Sequence, residues 1–388
     1  MKLGIDKIAK LISRYSHEPL SLRHNQCLNA RFKDIGCSRC AEICPADLID
    51  PKALEEIDQN RCAGCGLCAS ACPTGAIEMK EPSDLALITR IGKLLGKEKL
   101  PIRFRCRTNA LQSANGFLTL EVPCLGRLNE GILTCIAANG AHKLWLDTSA
   151  CSECALASEG IGLASSAVKT AQVLLEAFSI DCTLEISPLE RAFDSVPAAG
   201  NELIDTSDKV SRRQFLSHLQ KELRTAVTMI AFAGSPKSEK SISKYVPLRR
   251  SVLFEHGASC NPNGKPALCL KSTTLTRVSI KRSRCDLCEQ CAFFCPTGAL
   301  ERKETDGRVT IEFDFLRCVA CGLCKSVCES KAVRFLDRVG ASALKQPKPL
   351  VEYEVRLCSS CNQPFGAAGH QSLCRYCRRR AQLFGDLA

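Results

Sequence analysis

Between residues 101 and 187 short apolar runs alternate with longer stretches whose apolar positions recur at helical spacing. PIRFRCR, LTLEVPCL, HKLWLDTS and CTLEIS read as short buried strands, and NEGILTCIAANG and the stretch from Gly162 to Phe178 as the helices between them. Strands alternating with helices predict a small parallel α/β sheet. Ser211 and Gln214 then fit a helix capping box. Phe215, Leu219, Leu223 and Val227 repeat every four residues, an apolar stripe that faces a core. The periodicity is lost over residues 236–284, where eleven Lys/Arg face only Glu239 and Glu255. That stretch reads as a solvated linker, with a basic docking surface for an acidic partner as the sharper alternative. Nowhere do eighteen apolar residues run together, so no membrane span is expected. The first twenty residues keep Lys2, Asp6, Lys7, Lys10 and Arg14, which breaks any secretory apolar region. Peripheral membrane association through this amphipathic segment stays open. Ser211-Arg-Arg-Gln-Phe-Leu216 mimics a twin-arginine export signal but lies far inside the chain, where such a signal does not act.

Cysteine changes this picture: 28 of 388 residues. A chain this long is not a small disulfide scaffold, and in the reducing cytoplasm expected here the thiols point to bound metal. The formal charge of +12 would by itself suggest nucleic acid. Six four-thiolate metal sites, each about −2 when loaded, would nearly cancel it, so no nucleic-acid partner is expected. His24, His142, His218, His256 and His370 fall in no recognised catalytic or metal-binding motif. There is no nucleophile elbow, Walker loop or dinucleotide glycine fingerprint. The chain reads as a non-catalytic subunit.

The cysteines form an internal repeat. Cys62-Ala-Gly-Cys65-Gly-Leu-Cys68-Ala-Ser-Ala-Cys72 returns as Cys318-Val-Ala-Cys321-Gly-Leu-Cys324-Lys-Ser-Val-Cys328. Ahead of the second copy stands Cys285-x2-Cys288-x2-Cys291-x3-Cys295-Pro. Three thiolates on one tight loop reach three corners of a cubane, and the fourth, before the proline, faces the other cluster. The spacing therefore groups Cys285, Cys288, Cys291 and Cys328 on one [4Fe–4S] cluster and Cys318, Cys321, Cys324 and Cys295 on a second. Glu329 replaces the usual proline after Cys328, which should alter the turn without removing a ligand. In the N-terminal pair, Cys37-x2-Cys40-x3-Cys44-Pro lacks a near leading cysteine, and Cys27 stands ten positions earlier. With Leu28–Gly36 as an enlarged loop, Cys27, Cys37, Cys40 and Cys72 form a third set and Cys62, Cys65, Cys68 and Cys44 a fourth. A buried thiol at Cys27, leaving three ligands, is the alternative there, and structural zinc the alternative for the Cys285 to Cys328 pair. Residues 27–80 and 278–337 resemble two-cluster ferredoxins, which implies single-electron transfer.

In the α/β region Cys106, Cys124, Cys151 and Cys154 fall at or near predicted strand ends, where open sheets gather functional groups. Cys135 lies within an apolar helix and reads as structural. The stretch VPCLGRLNEGILTCIAANGAHKLWLDTSACSEC, with Cys124-Leu-Gly-Arg127 and the pair Cys151 and Cys154, resembles the delta subunit of methyl-viologen-reducing hydrogenases. The resemblance implies a [2Fe–2S] cluster on Cys106, Cys124, Cys151 and Cys154. It also implies partners of hydrogenase, formate dehydrogenase or flavoprotein type. A zinc site or a redox-active dithiol are the other readings. Cys358-x2-Cys361 and Cys374-x2-Cys377 read as a zinc ribbon with tetrahedral thiolate coordination. Cys260-x8-Cys269 looks like half a metal site and reads as structural.

The expected architecture is a multidomain α+β and α/β chain. Two bacterial dicluster-ferredoxin-like modules (1–82 and 278–340) flank a small parallel α/β domain (100–195). A helix and basic linker (196–277) and a zinc-ribbon-like tail (350–388) complete it. The expected function is a cytoplasmic electron relay of anaerobic metabolism, with four [4Fe–4S] clusters, one [2Fe–2S] cluster and one zinc. Two alternatives remain: a reductase with its site at the central cysteines, and a redox-sensing assembly or regulatory factor using the zinc ribbon.

Overall fold

The computed structural model describes residues 18–95, 100–106, 116–188, 203–204, 243–254, 267–367 and 370–384. The capping box at Ser211, the apolar stripe from Phe215 to Val227, the N-terminal segment and Cys260 lie outside them. The structure is mixed α/β, with ferredoxin-type modules and a parallel sheet. Among the described residues no helix is long and apolar enough to cross a membrane.

The N-terminal module is closed by two short antiparallel strands, β1 (Leu20–Leu22) and β2 (Ile77–Met79), with Leu20 opposite Met79. Between them run α1 (Leu28–Arg31), α2 (Arg39–Glu42) and α3 (Leu67–Ala71). A small core of Leu20, Ile49, Leu54, Ile57, Ile77 and Met79 packs directly against the cysteines. The helix α4 (Asp84–Leu95) follows, an element not read from the sequence. Its Leu87, Ile91 and Leu95 repeat every four residues and are buried in the core of the next domain.

That domain carries the predicted parallel sheet: β3 (Pro101–Cys106), β4 (Leu118–Val122), β5 (Lys143–Asp147), β6 (Thr183–Ser187) and β7 (Leu203–Ile204), in the order β6-β5-β3-β4-β7. The strands match the four apolar runs, and every pairing is parallel. Helices α5 (Glu130–Ala138) and α6 (Ala157–Phe178) make the crossovers. The Asn129 side chain caps α5 by accepting from Ile132 N–H at 3.1 Å. Helix α6 starts five residues before the predicted Gly162, and its C-terminal Leu174, Ala177 and Phe178 enter the core of the last module. Central strand β3 is buried throughout, so its two arginines need partners. Arg103 pairs with Asp147 and lies over Trp145, and Arg105 pairs with Glu121.

The segment Ser243–Phe254, containing α7 (Leu248–Ser251), crosses between all three units. It is not the solvated linker expected from composition, because Arg249 and Arg250 pair with the buried Glu130 and Lys244, though exposed, is tied to three backbone carbonyls. The last module holds β8 (Leu268–Cys269), β9 (Arg277–Ile280), α8 (Gln290–Phe293), β10 (Leu300–Thr305) and β11 (Arg308–Phe313). After these come α9 (Leu323–Ser326), β12 (Val333–Leu336), β13 (Arg338–Val339), β14 (Lys348–Leu357), β15 (Pro364–Ala367) and α10 (Arg375–Phe384). β9 and β12 pair as β1 and β2 do. The hairpin β10–β11 turns at Asp306-Gly307, both left-handed. It continues through β14 into β15, so the tail is hydrogen-bonded into the ferredoxin module's own sheet.

Candidate iron–sulfur and metal centres

The cysteine loops share one backbone device. In Cys62–Cys68, Gly64 and Gly66 flank the middle cysteine with φ of +65° and +80°. Leu287 and Glu289 do the same around Cys288, and Ala320 and Gly322 around Cys321. Left-handed residues on both sides of a cysteine turn the following N–H groups inward. Sulfurs of Cys65, Cys285, Cys288, Cys318 and Cys321 each accept from the backbone N–H two residues on, which favours their thiolate form.

Site I comprises Cys27, Cys37, Cys40 and Cys72, which line one cavity of about 350 Å³. Cys27 reaches it because Asn29 staples the enlarged loop shut. The Asn29 Nδ2 donates to the Cys37 and Pro51 carbonyls, both at 2.8 Å, and its Oδ1 accepts from Cys37 N–H at 2.9 Å. Site II gathers Cys44, Cys62, Cys65 and Cys68, where burial and then the three neighbouring thiols push the Cys68 thiol up. Site III is a cavity of about 330 Å³ lined by Cys295, Cys318, Cys321 and Cys324. Site IV, about 380 Å³, is lined by Cys285, Cys288, Cys291 and Cys328. In each pair of runs the cysteine at the end of one run crosses to the other site. A hydroxyl two residues later stays near its sulfur: Thr74 beside Cys72, Thr297 beside Cys295 and Ser330 beside Cys328. The turn after Cys328 keeps its course without proline, because Lys331 takes the left-handed conformation that Gly75 and Gly298 hold in the other copies. Burial and neighbouring thiols push Cys40, Cys291 and Cys318 up to about 12, so loading must displace their protons.

The central cysteines meet at the carboxyl ends of the strands. Cys106 ends β3, Cys124 follows β4, and Cys151 and Cys154 lie on the turn after β5. Cys106 and Cys124 are hydrogen-bonded to each other, which lowers the first thiol and raises the second. A Cβ on Gly160 of α6 would stand 2.9 Å from Cys124 Sγ, and one on Gly126 would stand 2.5 Å from Leu67 Cδ2. Glycine at these points lets the thiol, the helix and the site II loop meet. Arg127, fully buried, reaches across to the Pro82 carbonyl at 2.9 Å and to Asp84 at 3.2 Å. Cys135 is half-buried on the domain's core, and Cys269 is exposed in β8.

The tail is geometrically different. All four sulfurs of Cys358, Cys361, Cys374 and Cys377 lie within 4.8 Å of one another, with Cys361 and Cys374 at 3.8 Å. A single ion with four sulfurs at about 2.3 Å needs tetrahedron edges of about 3.8 Å. Among the described residues this is the one such tight set, whereas the other thiols stand wider, as a cluster with ligands on different irons requires. Backbone N–H groups of Cys374 and Cys361 hold Cys358 down to about 6. Arg375 docks the tail on site IV, bonding Glu329 at 2.6 Å and pairing with Asp286 at 3.4 Å. Glu329, out of place as a proline substitute, is used as this docking residue.

The sites stand in sequence through the molecule, as the thiols that influence one another show. Cys124 acts on Cys65, Cys40 on Cys68 and Cys291 on Cys324. Cys37 and Cys321 pack on one apolar cluster of Leu28, Leu323 and Val327 that joins the two modules. These links join the central site to II, II to I, I to III and III to IV.

The fold and thiol loops define an iron–sulfur protein. A 4Fe-4S binding domain matches residues 55–78, and a 4Fe-4S dicluster domain matches residues 284–332. Pyruvate synthase subunit PorD of Methanocaldococcus jannaschii is 32% identical over 73 residues, 18% of this chain and 81% of that protein. The PorD subunit of Methanothermobacter marburgensis is 46% identical over 55 residues, 14% of this chain and 59% of that protein. The chain belongs with them to the 4Fe-4S ferredoxin family, which supports an iron–sulfur electron-transfer role.

Proposed function

We propose that the chain is a multicluster electron-relay subunit, with a [4Fe–4S] cluster at each of sites I to IV, a [2Fe–2S] cluster at the central cysteines and one zinc ion in the tail. The observation that carries this reading is the unbroken succession of thiol sites, each acting on or packed with the next. When bound, the clusters supply one-electron oxidation and reduction. The chain's own residues hold the sulfurs, aim N–H groups at them and keep neighbouring sites packed together. The tail ion staples β14, β15 and α10 against site IV.

The central site is the end of the succession at which a partner docks, and Ser152, Glu153 and Ala155 on its turn are exposed. The Cys124-Leu-Gly-Arg127 stretch supports a domain of the hydrogenase-delta type there. Similarity to pyruvate synthase subunits supports an oxidoreductase partner whose catalytic site lies on another subunit. Hydrogenase, formate dehydrogenase and flavoprotein are the further partner classes. The Cys106–Cys124 hydrogen bond favours a second reading, a redox dithiol with a reductase function.

Iron, sulfide and zinc per chain, measured on anaerobically purified protein with EPR on stepwise reduction, test this. About eighteen irons and one zinc are expected. About sixteen irons would turn the central site into a dithiol or zinc site, and about eight would overturn the relay.

A further inference from the structure

We propose that Arg31, Arg39, Lys244 and Arg250 make site III the electron well of the relay, the centre with the highest reduction potential. This rests on the reading that Cys295, Cys318, Cys321 and Cys324 hold a [4Fe–4S] cluster.

Three separate segments bring these cations to one site. From the N-terminal module, Arg39 reaches the Ala320 carbonyl at 3.5 Å, inside the Cys318–Cys321 loop. Arg31, half-buried at the junction of the modules, donates to the Ser243 carbonyl at 2.7 Å. Its charge acts on Cys295 and Cys321. From the crossing segment, Lys244 Nζ donates to the carbonyls of Ala292, Phe293 and Cys295 at 2.7, 2.6 and 2.9 Å. Behind the site lies a buried group of two guanidiniums and one carboxylate. Arg249 and Arg250 share Glu130, itself fully buried; Arg249 also donates to the Ser70 and Cys72 carbonyls at 2.8 and 3.3 Å, whereas Arg250 donates to the Thr274 carbonyl of the last module at 3.1 Å. Arg250, 1% exposed, acts on Cys318.

Site I is flanked by two cations, Arg39, which lines its cavity, and Arg249, which donates to the Cys72 carbonyl at 3.3 Å, and so stands next below site III. At site IV, Arg375 faces Cys288 but is matched by both Asp286 and Glu329. At site II the nearby Arg127 is paired with Asp84 at 3.2 Å. The central Cys151 has Asp147 nearby. A cluster gains negative charge on reduction, so cations fixed beside it stabilise its reduced form, the buried Arg250 and half-buried Arg31 more per charge than the exposed Arg39 and Lys244. Since two of the four cations belong to the other ferredoxin module, the well exists only when the modules are joined.

The test is an EPR-monitored redox titration of the full chain, purified anaerobically, with iron counted in every sample. Cys324→Ala identifies the centre: it is expected to lose iron together with the highest-potential component. Arg31→Gln is expected to keep its iron and to lower that component's electron affinity about tenfold, about 59 mV for one electron. Arg31→Lys, which keeps the charge, is expected to restore it. Arg39→Gln, at an exposed position, is expected to give a smaller shift of the same sign, and it decides the matter if Arg31→Gln loses iron. Cys324→Ala with unchanged iron would overturn the cluster assignment and this inference with it. Iron loss with the highest-potential component intact, or charge-removing variants that leave that component where it was, would overturn the inference alone.

Discussion

The two ferredoxin modules carry nearly the same cysteine spacing yet solve the backbone problem differently. The N-terminal module places glycine at most of its left-handed positions, Gly64, Gly66 and Gly75, with Asp47 the exception after Cys44. The C-terminal one keeps glycine at Gly298 and Gly322 but forces Leu287, Glu289, Ala320 and Lys331 into the same conformation and bears its steric cost. The N-terminal module stretches its first loop and closes it with Asn29. The C-terminal one keeps the loop tight and grows a sheet from the hairpin between its runs. Site geometry therefore follows backbone conformation, and residue identity is free wherever surrounding contacts can hold the turn.

The comparison breaks most completely at the joint between the modules. Glu130→Gln removes the one carboxylate between Arg249 and Arg250 and strands buried charge, at a cost of about 3–5 kcal/mol in chemical denaturation. Burial alone would raise the Glu130 carboxyl, but Arg249 and Arg250 outweigh it and hold it at about 2. The folded value lies below the ordinary 4.5, so this stabilisation is complete above that pH and is lost as pH falls toward 2. Denaturation midpoints of wild type and Glu130→Gln are expected to converge over that range.

Glycines at equivalent positions offer a sharper contrast. Gly66 and Gly322 have φ of +80° and +90°, but a Cβ on Gly66 would stand 2.9 Å from Arg127 Cβ, whereas Gly322 faces open space. Gly66→Ala is expected to cost about 3 kcal/mol, from backbone strain plus overpacking, and Gly322→Ala about 1. Equal losses in paired melting curves would mean that the central domain does not press on site II. Asn29→Ala removes three hydrogen bonds of the enlarged loop, worth about 2 kcal/mol, and is expected to make site I alone labile. Iron counts after mild oxidation would show the C-terminal module spared. The smallest effect is a gain: Lys331→Gly relieves an exposed left-handed residue and should stabilise by about 0.5–1 kcal/mol.

Much of this was legible before any coordinates. The parallel sheet followed from apolar runs because each strand is buried through a local pattern. The three-cysteine loops were equally legible, since three cysteines on one tight loop lie together by chain geometry alone. Helix α4 was missed although its stripe of Leu87, Ile91 and Leu95 was available. The hairpin at Asp306-Gly307 had a turn signal that went unread. The basic stretch was misread for a deeper reason: Lys244, Arg249 and Arg250 look like solvated charge until their partners are known.

Local spacing by itself determined the cysteine loops and the alternation of strands and helices in the central domain, because both depend on residues close in the chain. Only the tertiary structure decided which site lies beside which, and which charges face them. Arg249 meets Glu130 across 119 residues and Arg39 meets Ala320 across 281. Contacts of that range leave no periodic mark on the chain, since they depend on how whole modules pack.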